Sequence, residues 1–311
     1  MKKSLTLLAL VLGMSGAFAQ DLTSKKGEPF LPEAGDWGLG IDANPFLEYA
    51  GNFFGKTTTN PAPTFNFLTP FQITGRYFKD ATTAYRGSLR IGFGTITERN
   101  MVTDRLAAYT NTTNTFPTNP AEVENVWKSS GTNIGISGGL EMRRGKTRLQ
   151  GYYGGELGIS FSTTSDKFEY GNALNTSTTT LVDVDPTDDA FSGSGNIIPN
   201  LSVGNAPAAD ARVITRKNGS TFGIGLRGFV GVEYFLFPKI SLGGEFGWGF
   251  MLISTGKTKT TVESMTTNAS GNLVTGETEL EGAKSGEWSL DTDNNNSVWG
   301  PAGTLRLNFY F

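Results

Sequence analysis

The sequence of 311 residues contains no histidine and no cysteine. Without histidine, acid–base catalysis near neutral pH needs a carboxylate, lysine or tyrosine with a strongly shifted pKa, and no pattern in the sequence indicates one. We therefore predict a protein that is not an enzyme and uses no cofactor. Without cysteine the chain has neither a disulfide framework nor a cysteine-linked lipid anchor, which excludes bridge-stapled secreted modules and lipoproteins.

Long apolar segments and excess positive charge are missing as well. After residue 19 no apolar run approaches the roughly 18 residues of a membrane-spanning helix, so the chain could cross a bilayer only as strands. The formal net charge of −3 argues against nucleic acid as a partner, because nucleic acid requires a basic face. Glycine (41 residues) and aromatic residues (12%) are both abundant, which is typical of small barrels with crowded interiors and aromatic girdles.

The amino terminus has the three parts of a secretory signal peptide. Lys2 and Lys3 precede an apolar run from Leu5 to Met14, and residues 17–19 (Ala-Phe-Ala) form a cleavage motif. We predict a signal peptide over residues 1–19, a polar periplasmic lead-in over 20–35 and one barrel domain over 36–311.

Residues 304–311 alternate strictly between an apolar and a polar face. The apolar face carries Leu305, Leu307, Phe309 and Phe311, and the other face carries Arg306, Asn308 and Tyr310. Such alternation predicts a strand with one apolar side. On a soluble domain that strand would be an exposed aggregation hazard, whereas in a closed membrane barrel its apolar side meets lipid and its polar side lines the lumen.

The same alternation recurs in seven earlier segments. We predict strands over residues 36–44, 69–79, 84–96, 132–143, 147–161, 221–234 and 240–252, in addition to 304–311. The connections between them are alternately long and short, as in outer-membrane barrels with long extracellular loops and short periplasmic turns. The predicted fold is an all-β, eight-stranded, antiparallel up-and-down transmembrane barrel with both termini periplasmic. A soluble sandwich or jelly roll also alternates, but it usually turns every 8–12 residues.

Two finer features accompany this prediction. Residues 257–262 and 272–280 are expected to form a hairpin above the membrane within the last long loop. Aromatic residues are expected in girdles at the two membrane interfaces, with Trp299 in the girdle at the long-loop end.

No charged residue is among the apolar residues that define one face of these strands, and the opposite face carries Asp42, Arg76, Arg86, Arg90, Glu141, Arg143, Arg148, Glu156, Arg227, Glu233, Glu245 and Arg306. We place Arg90, Glu156, Arg227 and Glu245 near mid-depth on neighbouring strands, with Glu141 and Arg306 on the same inner face. A barrel of about eight strands has just enough interior for its side chains, so charges there must pair. A salt-bridged, filled lumen is one interpretation, and a gated pore or proton path is the other.

The predicted lumen resembles that of the transmembrane domain of OmpA-type small barrels, in which such a network fills the interior. Residues 35–42 (GDWGLGID) and 75–78 (GRYF) look like segments of Bacteroidota-type outer-membrane barrels. A last strand closing on Phe309 and Phe311 resembles the signal that such barrels present to the outer-membrane assembly machinery. Small-barrel enzyme families use a histidine, which this sequence lacks. The resemblance implies outer-membrane lipid and lipopolysaccharide as surroundings.

Two acidic loop segments, residues 183–189 and 291–296, have oxygen ligands at spacings that a calcium loop could use. Neither has the glycine and distal glutamate of the full twelve-residue pattern, so solvated acidic loops are the simpler interpretation and no metal site is predicted. By elimination we expect function in the loops or outer wall: adhesion, envelope integrity, or partnership with a protein of an outer-membrane complex. A narrow pore and, third, a lipid-modifying enzyme are the alternatives.

Overall fold

Antiparallel strands make up most of the structure, a computed structural model. It describes residues 22–43, 73–110, 121–174, 195–201, 209–291 and 303–311, together with 49, 52, 54, 176–177, 180–181, 191 and 299. In chain order the strands are β1 (Trp37–Asp42), β2 (Ile73–Asp80), β3 (Thr83–Thr103), β4 (Glu122–Arg144), β5 (Leu149–Glu169), β6 (Thr176–Ser177), β7 (Thr180–Leu181), β8 (Ile197–Leu201), β9 (Ala209–Lys217), β10 (Thr221–Phe237), β11 (Ile240–Thr255), β12 (Lys259–Thr267), β13 (Leu273–Glu281), β14 (Ser285–Asp291) and β15 (Gly303–Tyr310). A short helix, α1 (Arg105–Thr110), follows β3.

Eight of these strands close into a ring of hydrogen bonds. The order around the ring is β1-β2-β3-β4-β5-β10-β11-β15, and β15 returns to β1 with Leu39 opposite Phe309. Every pairing in the ring is antiparallel. The predicted eight-stranded barrel is therefore confirmed, and closure leaves no free edge along this ring.

The wall of the barrel has two chemically distinct faces. Outward residues such as Leu89, Ile136, Leu157, Leu226 and Phe246 are 40–62% exposed and apolar. Inward neighbours one residue away along the same strands are buried and often charged. This is the face assignment that the period-two pattern predicted. Among the described residues, no helix is long and apolar enough to cross a membrane.

Three strands are much longer than predicted. β3, β4 and β5 have 21, 23 and 21 residues, whereas residues 97–131 and 162–169 were expected to be loop. Beyond the apolar band most side chains contact water, and only a few, such as Phe168, enter a small core, so the regular apolar alternation stops although pairing continues. Threonine in these stretches still favours extended backbone, because β-branched side chains suit a pleated surface.

The long-loop end of the barrel carries an extension of the same sheet. β5 continues upward to pair with β9, β9 pairs with β12, and β12 pairs with β13, while β8 covers the other edge of β9. The β12–β13 hairpin was predicted at nearly these positions. A small core stabilises the extension; its buried members are Phe168, Phe191, Ala211, Val213 and Val262. Trp127 stacks on Phe168 with ring centroids 6.2 Å apart.

The opposite, short-turn end is covered by the segment before β1. Phe30 is 5% exposed and packs with Phe78, Ala84, Phe235 and Tyr310. The Arg148 guanidinium carbon lies 3.7 Å from the centre of the Phe30 ring. The lead-in predicted as a polar connector therefore forms a cover over this end of the lumen, which its composition did not reveal.

Candidate functional site

The lumen of the barrel is filled by a cluster of arginine and glutamate side chains. Period-two alternation points them inward from seven of the eight ring strands, and all are at most 5% exposed. The members with described ion pairs are Arg76, Arg86, Arg143, Arg227, Arg306, Glu141, Glu156, Glu233 and Glu245. We call this set the luminal cluster.

Glu245 lies at the centre of the half nearer the long loops. Its carboxylate accepts two hydrogen bonds from Arg86, at 2.5 and 3.0 Å, one from Arg227 at 2.8 Å and one from Arg306 at 3.1 Å. The same Arg227 Nη1 also donates to Glu156 at 2.8 Å. Charge-assisted bonds of this kind are about twice as strong as neutral ones, so Glu245 holds guanidinium groups from three strands in place.

The half nearer the short turns is organised by Glu141 and Glu233. Glu141 accepts from Arg76 Nε at 2.9 Å and from Arg143 Nε at 2.8 Å. Glu233 accepts from Arg143, Ser241 and Tyr310, and from Asn308 Nδ2 at 3.0 Å. Both carboxylates are completely buried, and the desolvation cost of each is offset by several donors.

Arg86 connects the two halves. Its guanidinium is within 4 Å of three carboxylates: Glu245 at 2.5 Å, Glu156 at 3.6 Å and Glu141 at 3.8 Å. It also lies 4.3 Å from the centre of the Phe229 ring. Arg76 is its direct cross-strand neighbour, and two like charges in that position repel unless carboxylates separate them.

Inward glycines make room for the cluster. A Cβ at Gly247 would overlap the guanidinium of Arg227, and one at Gly231 would overlap the ring of Tyr152. Glycine at these positions lets a large side chain of the neighbouring strand lie flat over the inner wall, which fills the lumen at close packing.

Four of the predicted site residues meet in one place. Glu156, Arg227, Glu245 and Arg306 belong to the same half of the luminal cluster, and Glu141 belongs to the other half. Arg90 is buried on the same inner face, 6% exposed.

The residues that link these groups, Arg76, Arg86, Arg143 and Glu233, were predicted on the inner face but not as members of the network. The alternation along each strand shows that these side chains point into the lumen. It does not show how deep they lie, because depth depends on strand tilt and register rather than on counting from the turns.

The remaining predictions fall outside the cluster or outside the described residues. Phe309 lies on the outer face of β15, and Phe311 is 74% exposed; their role as an assembly signal stays a prediction. Trp299, expected in a girdle, instead packs inside against Met251 and is 2% exposed. The signal peptide at 1–19 and both acidic segments, apart from Asp291 at the end of β14, lie outside the described residues.

Two solved structures show a distant likeness to the chain. The outer membrane protein OprG from Pseudomonas aeruginosa is 11% identical, covers 91% of this chain and 98% of its own, and gives a TM-score of 0.30. A major outer membrane protein from Thermus thermophilus is 13% identical, covers 89% and 98%, and gives 0.25. No protein-family model and no curated protein sequence matches the chain. Likeness at this level carries no argument, so the barrel assignment depends on the closed ring of hydrogen bonds.

Proposed function

We propose that the chain is a non-enzymatic, integral outer-membrane β-barrel with a salt-bridge-plugged lumen, which acts through its surface sheet or outer wall. The observation that carries this proposal is the partition of the wall: charges are buried inside and bare apolar side chains face outward. In water such an outer face would be one large exposed apolar patch. In a bilayer it is the required surface, since an arginine or lysine there would cost about 2–4 kcal/mol at mid-depth.

The two ends of the barrel support an orientation with the short turns in the periplasm. β2–β3, β4–β5 and β10–β11 are joined by short turns at one end, while the other end carries the sheet extension. Outer-membrane barrels have their longer connections outside the cell. With eight ring strands, both ends of the ring then lie on the periplasmic side.

The surface extension favours a role in contact over a role in transport. Its strands are paired and its core is buried, so the exposed faces are held in one arrangement before any partner binds. Such preorganisation lowers the entropy cost of association. Adhesion, envelope integrity and membership of a larger outer-membrane complex are the roles that this arrangement suits, and the missing histidine supports a non-enzymatic role.

Membrane fractionation and heat-modifiable gel mobility test the location. The natural chain should co-fractionate with outer membranes and run as a compact, unheated form that shifts on boiling. A variant with a charged residue on the outer wall, Leu226→Arg, should assemble poorly. Leu226→Ala is the matched control because it shortens the same outward side chain without adding a charge. Recovery of the natural chain from the soluble fraction would contradict the proposal.

A narrow pore is the second candidate, favoured by the position of Arg86. Because three carboxylates lie within 4 Å of it, this side chain could change partners without leaving a charge unpaired. Purified protein in planar bilayers distinguishes the two functions. A closed lumen predicts no steady conductance, whereas single-channel steps that change in Glu245→Gln would favour the pore.

Partners remain to be identified by capture from solubilised outer membranes. We expect the assembly machinery to be among them if Phe309 and Phe311 act as its signal, and Phe311→Ala should then reduce the assembled form. Comparison of lipids from cells with and without the protein by mass spectrometry tests the non-enzymatic assignment.

A further inference from the structure

A groove with a flat glycine floor lies on the outer wall. It has a volume of about 720 Å³ and lies over β5, β10 and β11. Gly155 and Gly228 are direct cross-strand partners and form its floor. Leu226, Phe246, Trp248 and Leu290 are among the side chains that wall it, and all four are at least 50% exposed. A Cβ at Gly228 would meet nothing within 4 Å, and one at Gly155 would make only an ordinary contact of 3.6 Å with the Arg227 carbonyl oxygen, so close packing of the barrel requires glycine at neither position.

Lysines lie beyond the long-loop end of this groove, on β4, β5, β9 and β12 and just after β11. β5 is regular throughout its pairing with β4, so Lys167 faces the same side as the outward Phe161. Lys128 is opposite Lys167, Lys217 is opposite Ser165, and Lys259 is opposite Lys217. The fifth lysine, Lys257, forms an ion pair with Glu281 at 2.5 Å. We call these five residues the lysine belt.

The lysine belt is electrostatically unfavourable on its own. Two of its cross-strand pairs, Lys128–Lys167 and Lys217–Lys259, place like charges directly opposite each other, which destabilises a sheet. Three glutamates, Glu169, Glu279 and Glu281, partly offset this repulsion. Glu169 is 2.8 Å from Lys167, and Glu279 is 2.8 Å from Lys259. Lys217 is exposed and has no carboxylate partner among the described residues. The belt therefore carries positive charge that its own neighbours do not balance.

The distance between groove and belt matches one leaflet of a membrane. Gly155 in the floor of the groove and Ser165, the cross-strand partner of Lys217, are ten residues apart on β5. At about 3.3 Å per residue and a tilt of about 40° this is roughly 25 Å of depth. Half of a bilayer is about 20–22 Å when its headgroup layer is included. An acyl chain seated in the groove would thus bring its headgroup to the lysines.

We propose that the groove and the lysine belt form one binding site for an anionic, phosphate-bearing lipid of the outer leaflet. The acyl chain packs on Gly155 and Gly228, and the phosphate contacts Lys217 and Lys259. The proposal rests on the membrane location proposed above. Charge complementarity selects a phosphorylated lipid over a neutral one, and the groove selects a lipid over a soluble phosphate.

Native mass spectrometry of the detergent-purified barrel tests the site. The probes are bisphosphorylated lipid A, dephosphorylated lipid A with the same acyl chains, and inorganic phosphate. We expect preferential retention of the phosphorylated lipid and no competition by inorganic phosphate. Each lysine near an anionic headgroup contributes about fivefold in affinity, so Lys217→Gln with Lys259→Gln should weaken retention roughly 25-fold.

Matched variants test the groove and the lysine belt separately. Gly228→Leu fills the groove and should reduce retention of both lipids, whereas Gly75→Leu, which also meets nothing within 4 Å on another part of the wall, should reduce neither. Lys146→Gln, in the β4–β5 turn, is the control for the lysines. Equal retention of both lipids, or unchanged binding by the lysine variant, overturns the proposal. If the lipids show no preference while the chain still fractionates with outer membranes, only the lipid site is wrong.

Discussion

Replacing Glu245 by glutamine tests whether the luminal cluster holds the barrel together. The amide keeps the shape of the side chain but removes the charge that Arg86, Arg227 and Arg306 share. These arginines make four hydrogen bonds to the carboxylate. A bond to a charged group contributes roughly 1.5–3 kcal/mol, but shared bonds are not additive, and removing one partner of a buried ion pair costs about 3–5 kcal/mol. We expect a loss of that size.

Urea unfolding of the protein refolded into phosphocholine vesicles measures this loss. The midpoint should fall while the slope of the transition stays constant, since the surface exposed on unfolding is unchanged. Glu98→Gln, at an exposed carboxylate of β3, is the control and should change stability by less than about 0.5 kcal/mol. A loss below about 1 kcal/mol for Glu245→Gln would refute the reasoning, because the arginines would then be held by something other than this carboxylate.

Three further predictions concern other parts of the barrel. Phe30→Ala should destabilise the protein by up to about 3–5 kcal/mol and expose the segment before β1 to protease. Gly247→Ala should cost about 1–3 kcal/mol in urea unfolding, because the new methyl group displaces a guanidinium, whereas Gly244→Ala on the outer face of the same strand should be nearly neutral. A hydrogen bond from Lys257, with a second lysine nearby, lowers the pKa of Glu281. The resulting stabilisation of the folded state exists above the ordinary carboxyl pKa and is lost as pH falls through the lowered value. The difference in urea-unfolding stability between the natural chain and Glu281→Gln should therefore vanish in acid.

The ring strands were predictable because the apolar band imposes a period of two. Leu89, Leu157 and Leu226 all face outward as predicted, and the short turns were visible in composition. The upper parts of β3, β4 and β5 were not predictable in this way, since most of their side chains contact water and the regular alternation that marks a strand is lost.

The sequence predicts that the luminal charges pair with one another, but it does not predict which arginine meets which glutamate. Alternation shows that Arg86 points inward, but its three carboxylates come from β4, β5 and β11. Which of them lies at the same depth depends on the stagger between strands that closure imposes. The burial of Phe30 depends likewise on residues far away in the sequence.

The burial of Phe30 has a consequence for the order in which the molecule matures. Its neighbours belong to β2, β3, β10 and β15, so its pocket exists only once early strands of the ring and the last one have come together. The segment before β1 is synthesised early, but it can therefore dock only in the last step of folding. Protease resistance of this segment would therefore measure the fraction of molecules in which the barrel has closed.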